Sequence, residues 1–532
     1  MIARVLAAAL VAAGSLATVE DDYGSARSLK DQADVAIAGG GTAHHAGRGL
    51  PRAYAALRAR VAGGLPAAEA KTEDDRRAVA VMQRALQSDL PALLDEPAPS
   101  APDAACTGDA AVIARGPEAW DRLRAHLYRC FGAAASSLRV GDEEVDRLTI
   151  LGRLGDADDP AERRRLFLAL QPLWRAVNGD NGPESPYRQL VRLGAERART
   201  QPSTIAAELD ALGVPEKDVE GWLVAILEGW RAAHPGTIEP WDFWAGGREA
   251  AHALDPLAAR DRLEAVNAAF YRALGADVAR LKVEYDLLPR PGKTPVAFTT
   301  FGSRAPDRDG VWRAGGVNVF ATYRAGGLGN LVELLHETGH AVHVAAIRTR
   351  AAFADWPDST TFTEAIADVP ALDAYEPEWQ RRYLGGEAPA VASLRAKYAG
   401  IVLDVAWGLF EMRLARTPEA DPNALWTDIT STYLGIRSHP EWSWWALRGQ
   451  LVDEPGYMVH YAVGAVLAAD VRARCRALRG PFSQPDAGYY EFLSKHLYRF
   501  GLERPARTVL ADFLGRPVSS DAILADLRRL RP

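Results

Sequence analysis

The chain has 532 residues, of which 48% are hydrophobic and 25% charged, a balance that is typical of a folded globular protein and excludes a disordered or collagen-like chain. Acidic residues outnumber basic ones by 69 to 62, and the formal net charge is -7. Because there is no basic surplus to neutralise phosphates, general nucleic-acid binding is disfavoured. Histidine is scarce, at 11 residues, yet three histidines fall in one short stretch at 336–343.

The first 17 residues have the order of an export signal. Arg4 precedes the apolar run 5–13, and Ser15-Leu16-Ala17 fits a small-x-Ala cleavage site. The run is too short to span a bilayer, and no other run is long enough, so no integral membrane segment is expected after cleavage. The sequence predicts an exported protein, periplasmic or extracellular. The alternative is an Ala-rich first helix of a cytoplasmic protein.

Residues 18–105 form an N-terminal helical and loop region, a candidate lid, before a catalytic domain at 106–532. The Pro-rich stretch 95–105 is the best candidate linker, and His44-His45 lies in a Gly-rich loop, where solvent exposure is expected rather than metal binding. Cys106 and Cys130 could close a disulfide in an oxidising compartment. The alternative is that they and Cys475 are buried thiols.

Helical periodicity dominates from 106 to 290 and again from 331 to the end. Gly179 stands where a helix C-cap is expected. Between these regions, 294–302 and 315–323 are rich in Val, Phe, Thr and Tyr, which predicts two strands joined by a long loop. The pattern therefore predicts a mainly α protein with a small β-sheet.

The histidine cluster contains the motif His336-Glu337-x-x-His340. On a helix, residues i and i+4 share a face, so both imidazoles can bind one zinc ion while Glu337 acts as general base. The alternative is a pair of histidines that cap or pack on an amphipathic helix. His343 is expected to pack rather than bind, and Gly339 is expected to admit a close approach of backbone or substrate.

A third zinc ligand is expected from Glu364, which follows His340 by 24 residues. That interval lets one helix end and a second helix return to present the carboxylate. Asp368, one turn further on, can accept the outer N–H of a ligand histidine and fix its tautomer. The alternative is that Glu364 only closes a capping box with Thr361.

Two later stretches carry further candidates. Trp444 and Arg448 are one helical turn apart, which suits an anion or substrate site as well as a buried aromatic cluster. Tyr457, His460 and Tyr461 share a helical face and could hydrogen-bond a developing oxyanion, or form an aromatic packing stripe.

The motifs together resemble two related families of zinc peptidases. HETGHAVH followed by TEAIADV, the WWALR stretch and ILGRLGDADDPAERRRLFLALQPLWRAVNG resemble the angiotensin-converting enzyme (peptidyl-dipeptidase A) family. The sequence is also similar to the thimet oligopeptidase and oligopeptidase F family, in the residues HETGHAVH and in GY-x-x-x-Y followed by AVLAAD. The resemblance covers roughly 140–520. It implies a two-lobed helical body with a deep substrate channel, and an edge strand near the zinc site that pairs with extended peptide.

The resemblance also implies site roles. His336, His340 and Glu364 match the zinc ligands, Glu337 matches the general base, and Asp368 matches the carboxylate behind a ligand histidine.

In the later stretches, Tyr457 and Tyr461 match channel tyrosines, and Trp444 and Arg448 match a chloride-binding pair of the converting enzymes. One segment departs from that family: GQLVDEPG lacks the Lys and His that the converting enzymes carry there. Strict release of C-terminal dipeptides is therefore not implied, although His460 could replace the missing His.

The sequence thus predicts a zinc-dependent peptidase with one Zn²⁺ per chain, with chloride as a further candidate, acting on short or unfolded peptides. Two alternatives stay open. One is a catalytically silent relative that binds peptides or a partner protein, and the other is a zinc hydrolase of a different amide.

Overall fold

The computed structural model describes residues 15–41, 49–88, 118–290, 296–304 and 315–531, with the single residues 47, 90, 116 and 293. This part of the chain is mainly α-helical, as the periodicity predicts. None of its helices is long and apolar enough to cross a membrane. The linker 95–105, the His44-His45 pair and Cys106 lie outside the described residues, so the pairing of Cys106 with Cys130 stays a prediction.

The N-terminal helices form a group of their own. They are α1 (Leu16–Ala38), α2 (Leu50–Gly64) and α3 (Glu73–Gln87). Side-chain caps fix the N-termini of two of these three helices. Ser15 caps α1, and a reciprocal capping box between Thr72 and Asp75 begins α3.

The first half of the larger body is a run of helices interrupted by one small hairpin. The helices are α4 (Ala119–Ser136), α5 (Arg147–Asp156), α6 (Pro160–Leu168), α7 (Gln171–Asn178), α8 (Pro186–Arg197), α9 (Thr204–Leu212), α10 (Glu216–Ala233), α11 (Arg248–Leu254) and α12 (Leu263–Ala273). The hairpin pairs β1 (Leu138–Val140) with β2 (Glu143–Val145). Gly179 ends α7 at a φ of 59°, as its position in the sequence predicts.

The second half is again helical. It contains α13 (Leu328–Ala346), α14 (Thr360–Ala371), α15 (Pro377–Tyr383), α16 (Ala390–Arg416), α17 (Pro422–Ile429), α18 (Gln450–Asp453), α19 (Tyr457–Arg479), α20 (Tyr489–Leu493), α21 (Ala506–Leu514) and α22 (Asp521–Arg528). Helix α13 begins at 328 rather than 331 because Asp255, distant in sequence, accepts the backbone N–H of Leu328 at 2.7 Å.

A three-stranded sheet lies between the two halves and borders α13. Its strands are β3 (Val283–Asp286), β4 (Phe298–Phe301) and β5 (Val317–Phe320), in the order β3-β5-β4. The two predicted strands are confirmed as β4 and β5, which pair antiparallel with Phe298 opposite Phe320. Strand β3 was not predicted, and it pairs parallel to β5. The outer strand β4 packs against α13.

Two large apolar cores support these elements within the described residues, beside a small contact of Ala33 with Leu50. The core of the larger body is continuous from Leu123 to Leu530. The N-terminal helices surround a smaller core of their own, completed by Ala352 and Phe353 from the larger body. The predicted domain boundary at 105/106 lies outside the described residues, so the division of the chain into domains stays a prediction.

Candidate metal centre

Helices α13 and α14 touch at Gly339, inside the histidine motif. A Cβ atom on this residue would lie only 2.5 Å from the carbonyl oxygen of Ala367, an atom of the α14 backbone that cannot move aside. Glycine is therefore required where the two helices cross. The expectation of a close backbone approach is confirmed, and the crossing brings the two halves of the candidate metal site together.

The three predicted ligand side chains converge at this crossing. His336 Nε2 lies 3.3 Å and His340 Nε2 lies 3.7 Å from the same oxygen, Oε2 of Glu364. One ligand atom from each residue can be chosen so that all lie within 4.8 Å of one another. Ligand atoms around a tetrahedral zinc ion, each about 2.0–2.1 Å from the metal, lie about 3.3 Å apart. The donor set and its spacing therefore fit zinc.

The electrostatics of the cluster also favour a cation. Burial alone would raise the pKa of Glu364, but hydrogen bonds with His336 and His340 outweigh burial and hold that pKa well below its ordinary value. Glu364 is therefore a carboxylate at neutral pH. The side chains of His336 and Glu364 keep 20% and 31% of their surface exposed, so the cluster is open to solvent on one side. An open position is what a catalytic zinc site needs.

Asp368 lies behind the first ligand histidine. Its Oδ1 is 2.7 Å from His336 Nδ1, which leaves Nε2 of that ring to face Glu364. Burial would lower the pKa of His336, but Asp368 and Glu364 together raise it well above its ordinary value. The arrangement is the carboxylate–histidine pair that orients metal ligands.

Capping by Glu364 is not what begins α14. Ser359 caps the helix and accepts the backbone N–H of Phe362 at 3.0 Å, while Thr361 lies inside the first turn. The capping alternative for Glu364 is therefore wrong, because the cap falls two residues before Thr361. Glu364 is left to face the histidines.

Glu337 is buried beside the ligands and held from the sheet. The hydroxyl of Thr299, on the outer strand β4, lies 2.7 Å from Glu337 Oε2 and 2.8 Å from the Glu337 carbonyl oxygen. It donates to both with one shared hydrogen. The bond links the candidate general base to the strand where an extended peptide is expected to bind.

His343 is a packing residue, as expected. Its ring stacks on Tyr498 at a centroid distance of 5.0 Å and meets the edge of Trp356 at 5.8 Å. Burial, with the nearby His340 ring, lowers the pKa of His343 to about 3. His343 is therefore a neutral aromatic side chain in the core at any physiological pH.

The helix α19, which carries Tyr457 and Tyr461, packs along α14, and both phenols are close enough to Glu364 for its charge to act on them. Burial and the Glu364 carboxylate raise the pKa of Tyr457 above its ordinary value, and the same two causes raise the pKa of Tyr461 to about 12. Both phenols therefore stay protonated and can donate a hydrogen bond near the metal centre.

The buried carboxyl group of Glu411 fixes the start of this helix. Glu411 of α16 accepts the backbone N–H groups of Gly456 at 2.7 Å and Met458 at 2.8 Å. Burial outweighs these bonds and raises the pKa of Glu411 to about 8. Glu411 thus places the helix that carries Tyr457 and Tyr461.

His460 is buried next to Tyr457, and the centroids of the two rings are 5.2 Å apart. It is only 5% exposed. Burial lowers its pKa, while the Glu208 carboxylate acts in the opposite direction. Glu208 in turn accepts the hydroxyl of Ser359 at 2.5 Å and the N–H of Thr361 at 2.8 Å. His460 therefore lies near Glu208, which is bonded to the start of α14.

Trp444 and Arg448 have separate partners. Trp444 is 1% exposed and packs edge-on against Trp426 at 4.9 Å. Arg448 forms an ion pair with Asp404 and lies 4.9 Å from the centroid of the Trp407 ring. An anion at this arginine would have to compete with Asp404.

Three residues that support the site were not indicated by any sequence motif: Thr299, Glu411 and Glu208. Each acts through a partner more than 35 residues away, so neither helical nor strand spacing could indicate it. The only signal was indirect, because Thr299 lies in a strand that the sequence does predict.

The fold can be compared with known structures. No protein-family model and no curated protein matches the chain. A putative oligoendopeptidase F superposes with a TM-score of 0.53 and 15% identity, over 97% of this chain and 96% of that chain. Pz peptidase A, solved with an inhibitor, superposes with a TM-score of 0.53 and 14% identity, over 97% of each chain. The chain therefore has the fold of these two peptidases over nearly its full length.

Proposed function

We propose that this protein is a zinc-dependent peptidase that hydrolyses peptide bonds in short or unfolded peptides, of the peptidyl-dipeptidase or oligopeptidase type. One observation carries the proposal: His336, His340 and Glu364 converge on one point with Glu337 beside them. When bound by these residues, zinc supplies Lewis-acid polarisation to the reacting groups.

The protein's own residues divide the remaining work. Glu337 takes a proton from the attacking water and delivers it to the leaving nitrogen. Thr299 holds that carboxylate in place. Tyr457 or Tyr461 donates a hydrogen bond to the oxyanion that forms at the scissile carbonyl, with His460 as a third candidate.

The substrate is proposed to bind as an added strand. Strand β4 is one of the two outer strands of its three-stranded sheet and carries Thr299 next to Glu337. An extended peptide paired with β4 would place its main chain along the metal centre, with main-chain hydrogen bonds giving affinity for many sequences. Folded proteins cannot present such a strand, which is why short or unfolded peptides are proposed.

The variant Glu337→Gln tests the proposal. Hydrolysis of a quenched fluorescent peptide library should be abolished, because the amide cannot accept the proton, while elemental analysis still finds one zinc per chain. Glu284→Gln, an exposed glutamate on β3, is the matched control and should keep the parent rate. Cleavage by Glu337→Gln at the parent rate would refute the mechanism.

The same assays separate the alternatives. A parent protein that binds zinc but cleaves no peptide would be a silent peptide-binding relative, and cleavage of non-peptide amides alone would indicate another hydrolase. Product mapping on peptides of graded length distinguishes dipeptide release from internal cleavage.

Chloride activation would require an anion to compete with Asp404 for Arg448. Rates measured in chloride and in acetate test whether this happens.

Export is proposed on the order of residues in the first 17 positions. Cleavage after Ala17 would remove the Ser15 cap and start the mature chain within the first turn of α1. N-terminal sequencing of protein recovered from outside the cytoplasm tests it, and an intact Met1 in a cytoplasmic fraction would contradict it.

A further inference from the structure

The segment 347–359, here called the connector, joins the helix that carries both histidine ligands to the helix that carries Glu364. It touches the metal centre through Trp356. The ring of Trp356 meets the edge of His340 at 5.6 Å and also packs against Phe301, the last residue of β4, at 5.4 Å. A shift of the connector would therefore move a ligand, or change the distance between the two ligand helices.

The connector is anchored in the N-terminal helices by an apolar contact. Ala352 and Phe353 are both 0% exposed, and they belong to the small core formed by α1, α2 and α3. Tyr23 and Met82, from α1 and α3, are members of the same core. Moving these helices away would expose Phe353 to water.

A first ion cluster binds the same segment to α1 and α3. Arg350 of the connector forms a bidentate ion pair with Glu20, with N···O distances of 2.8 and 2.7 Å. Its other nitrogen reaches Asp74 at 2.9 Å and Asp75 at 3.0 Å. Three carboxylates of the N-terminal helices thus converge on one arginine of the connector.

A second ion cluster is buried and includes Arg304, three residues after the end of β4. The side chain of Arg304 is 3% exposed and contacts Asp31 of α1 at 2.7 Å and Asp355 of the connector at 3.1 Å. Arg27 of α1 also pairs with Asp355. One guanidinium, just past the proposed peptide-binding strand, therefore joins α1 to the connector.

We propose that the N-terminal helices are a fixed brace for the metal centre, with Arg304 and Arg350 as positioning residues that hold the connector and keep Trp356 against His340. The inference rests on the proposed metal centre. Opening these helices as a lid would separate buried charges from their partners, which is strongly unfavourable. Glu20 and Asp31 lie after the proposed cleavage site, so the brace would persist in an exported chain.

The test uses the full chain and zinc itself as the probe. The zinc dissociation constant is measured by chelator competition for the parent, Arg350→Met and Asp31→Asn, together with backbone hydrogen exchange in 347–359. We expect at least tenfold weaker zinc binding and faster exchange of the connector in both variants. The control is Arg60→Met, which removes an exposed ion pair between α2 and α1 that does not touch the connector. It should stay within twofold of the parent.

The outcomes are distinguishable. If the parent binds no zinc, the proposed function fails first. If the parent binds zinc and both variants match it within twofold, the brace is refuted. Connector exchange in the parent as fast as in the variants would indicate a lid and would also overturn the proposal. If Arg350→Met does not fold, the nearly isosteric Asp31→Asn decides alone.

Discussion

Removal of the Thr299 hydroxyl should reveal whether β4 positions the general base. In Thr299→Val the side chain keeps its shape and its preference for a strand, but loses the donor that lies 2.7 Å from Glu337 Oε2. A hydrogen bond to a charged group contributes about 1.5–3 kcal/mol. The single hydrogen is shared with the Glu337 carbonyl oxygen, so the lower end applies, and kcat/KM should fall about tenfold.

The assay is cleavage of a quenched fluorescent peptide, with zinc content measured on the same samples. Thr299→Ser keeps the hydroxyl and should retain most of the parent kcat/KM. Thr300→Val changes the neighbouring residue, whose side chain points to the other face of the strand, and should have little effect. A Thr299→Val enzyme within twofold of the parent would refute the positioning of Glu337 by this strand. A loss of zinc in parallel with activity would show that the strand supports the ligands instead.

Three further predictions follow from the same geometry. Asp368→Asn should weaken zinc binding about 10–100-fold in chelator competition, because the carboxylate behind His336 is lost; unchanged affinity would contradict this role. Gly339→Ala should destabilise the protein by about 1–3 kcal/mol or more in chemical unfolding, whereas Gly329→Ala on the same helix, with open space around its Cβ, should be neutral or slightly stabilising. Glu411 binds its proton more tightly in the folded state, because its pKa is about 8 there against an ordinary 4.5. The free energy of unfolding should therefore fall as the pH rises from about 5 to 8, by at most about 1.4 kcal/mol per pH unit. Glu411→Gln should remove that slope from the free energy of unfolding, and equal slopes in the two proteins would contradict the assignment.

The part of the site that could be predicted from sequence is the part that depends on local geometry. The spacing of His336 and His340 places both rings on one helical face whatever the rest of the fold does. Glu364 needed one additional assumption, that a second helix returns, and Gly339 is the residue that makes this return close enough.

The unpredicted features depend on contacts between segments distant in sequence. Strand β3 pairs with β5 across more than 30 residues, and its short VEYD sequence has no strong strand pattern. Helix α13 starts early because of Asp255, 73 residues before Leu328. The connector contacts of the N-terminal helices span still longer separations, as with Arg350 and Glu20, 330 residues apart. Patterns of period 2 or 3.6 carry no information about such partners.

Helix α13 shows why three neighbouring histidines have two different roles. Most of this helix is buried, so the surroundings of each histidine on it determine what that ring can do. His336 and His340 share the face that meets Glu364, and the exposed surface of His336 and Glu364 is where a metal can be reached. His343 lies one turn beyond, where Tyr498 and Trp356 enclose it and burial keeps it neutral. The neighbours that the fold places around each histidine therefore determine whether that histidine is a candidate metal ligand or a core residue. Trp356 of the connector contacts one histidine of each kind, His340 and His343.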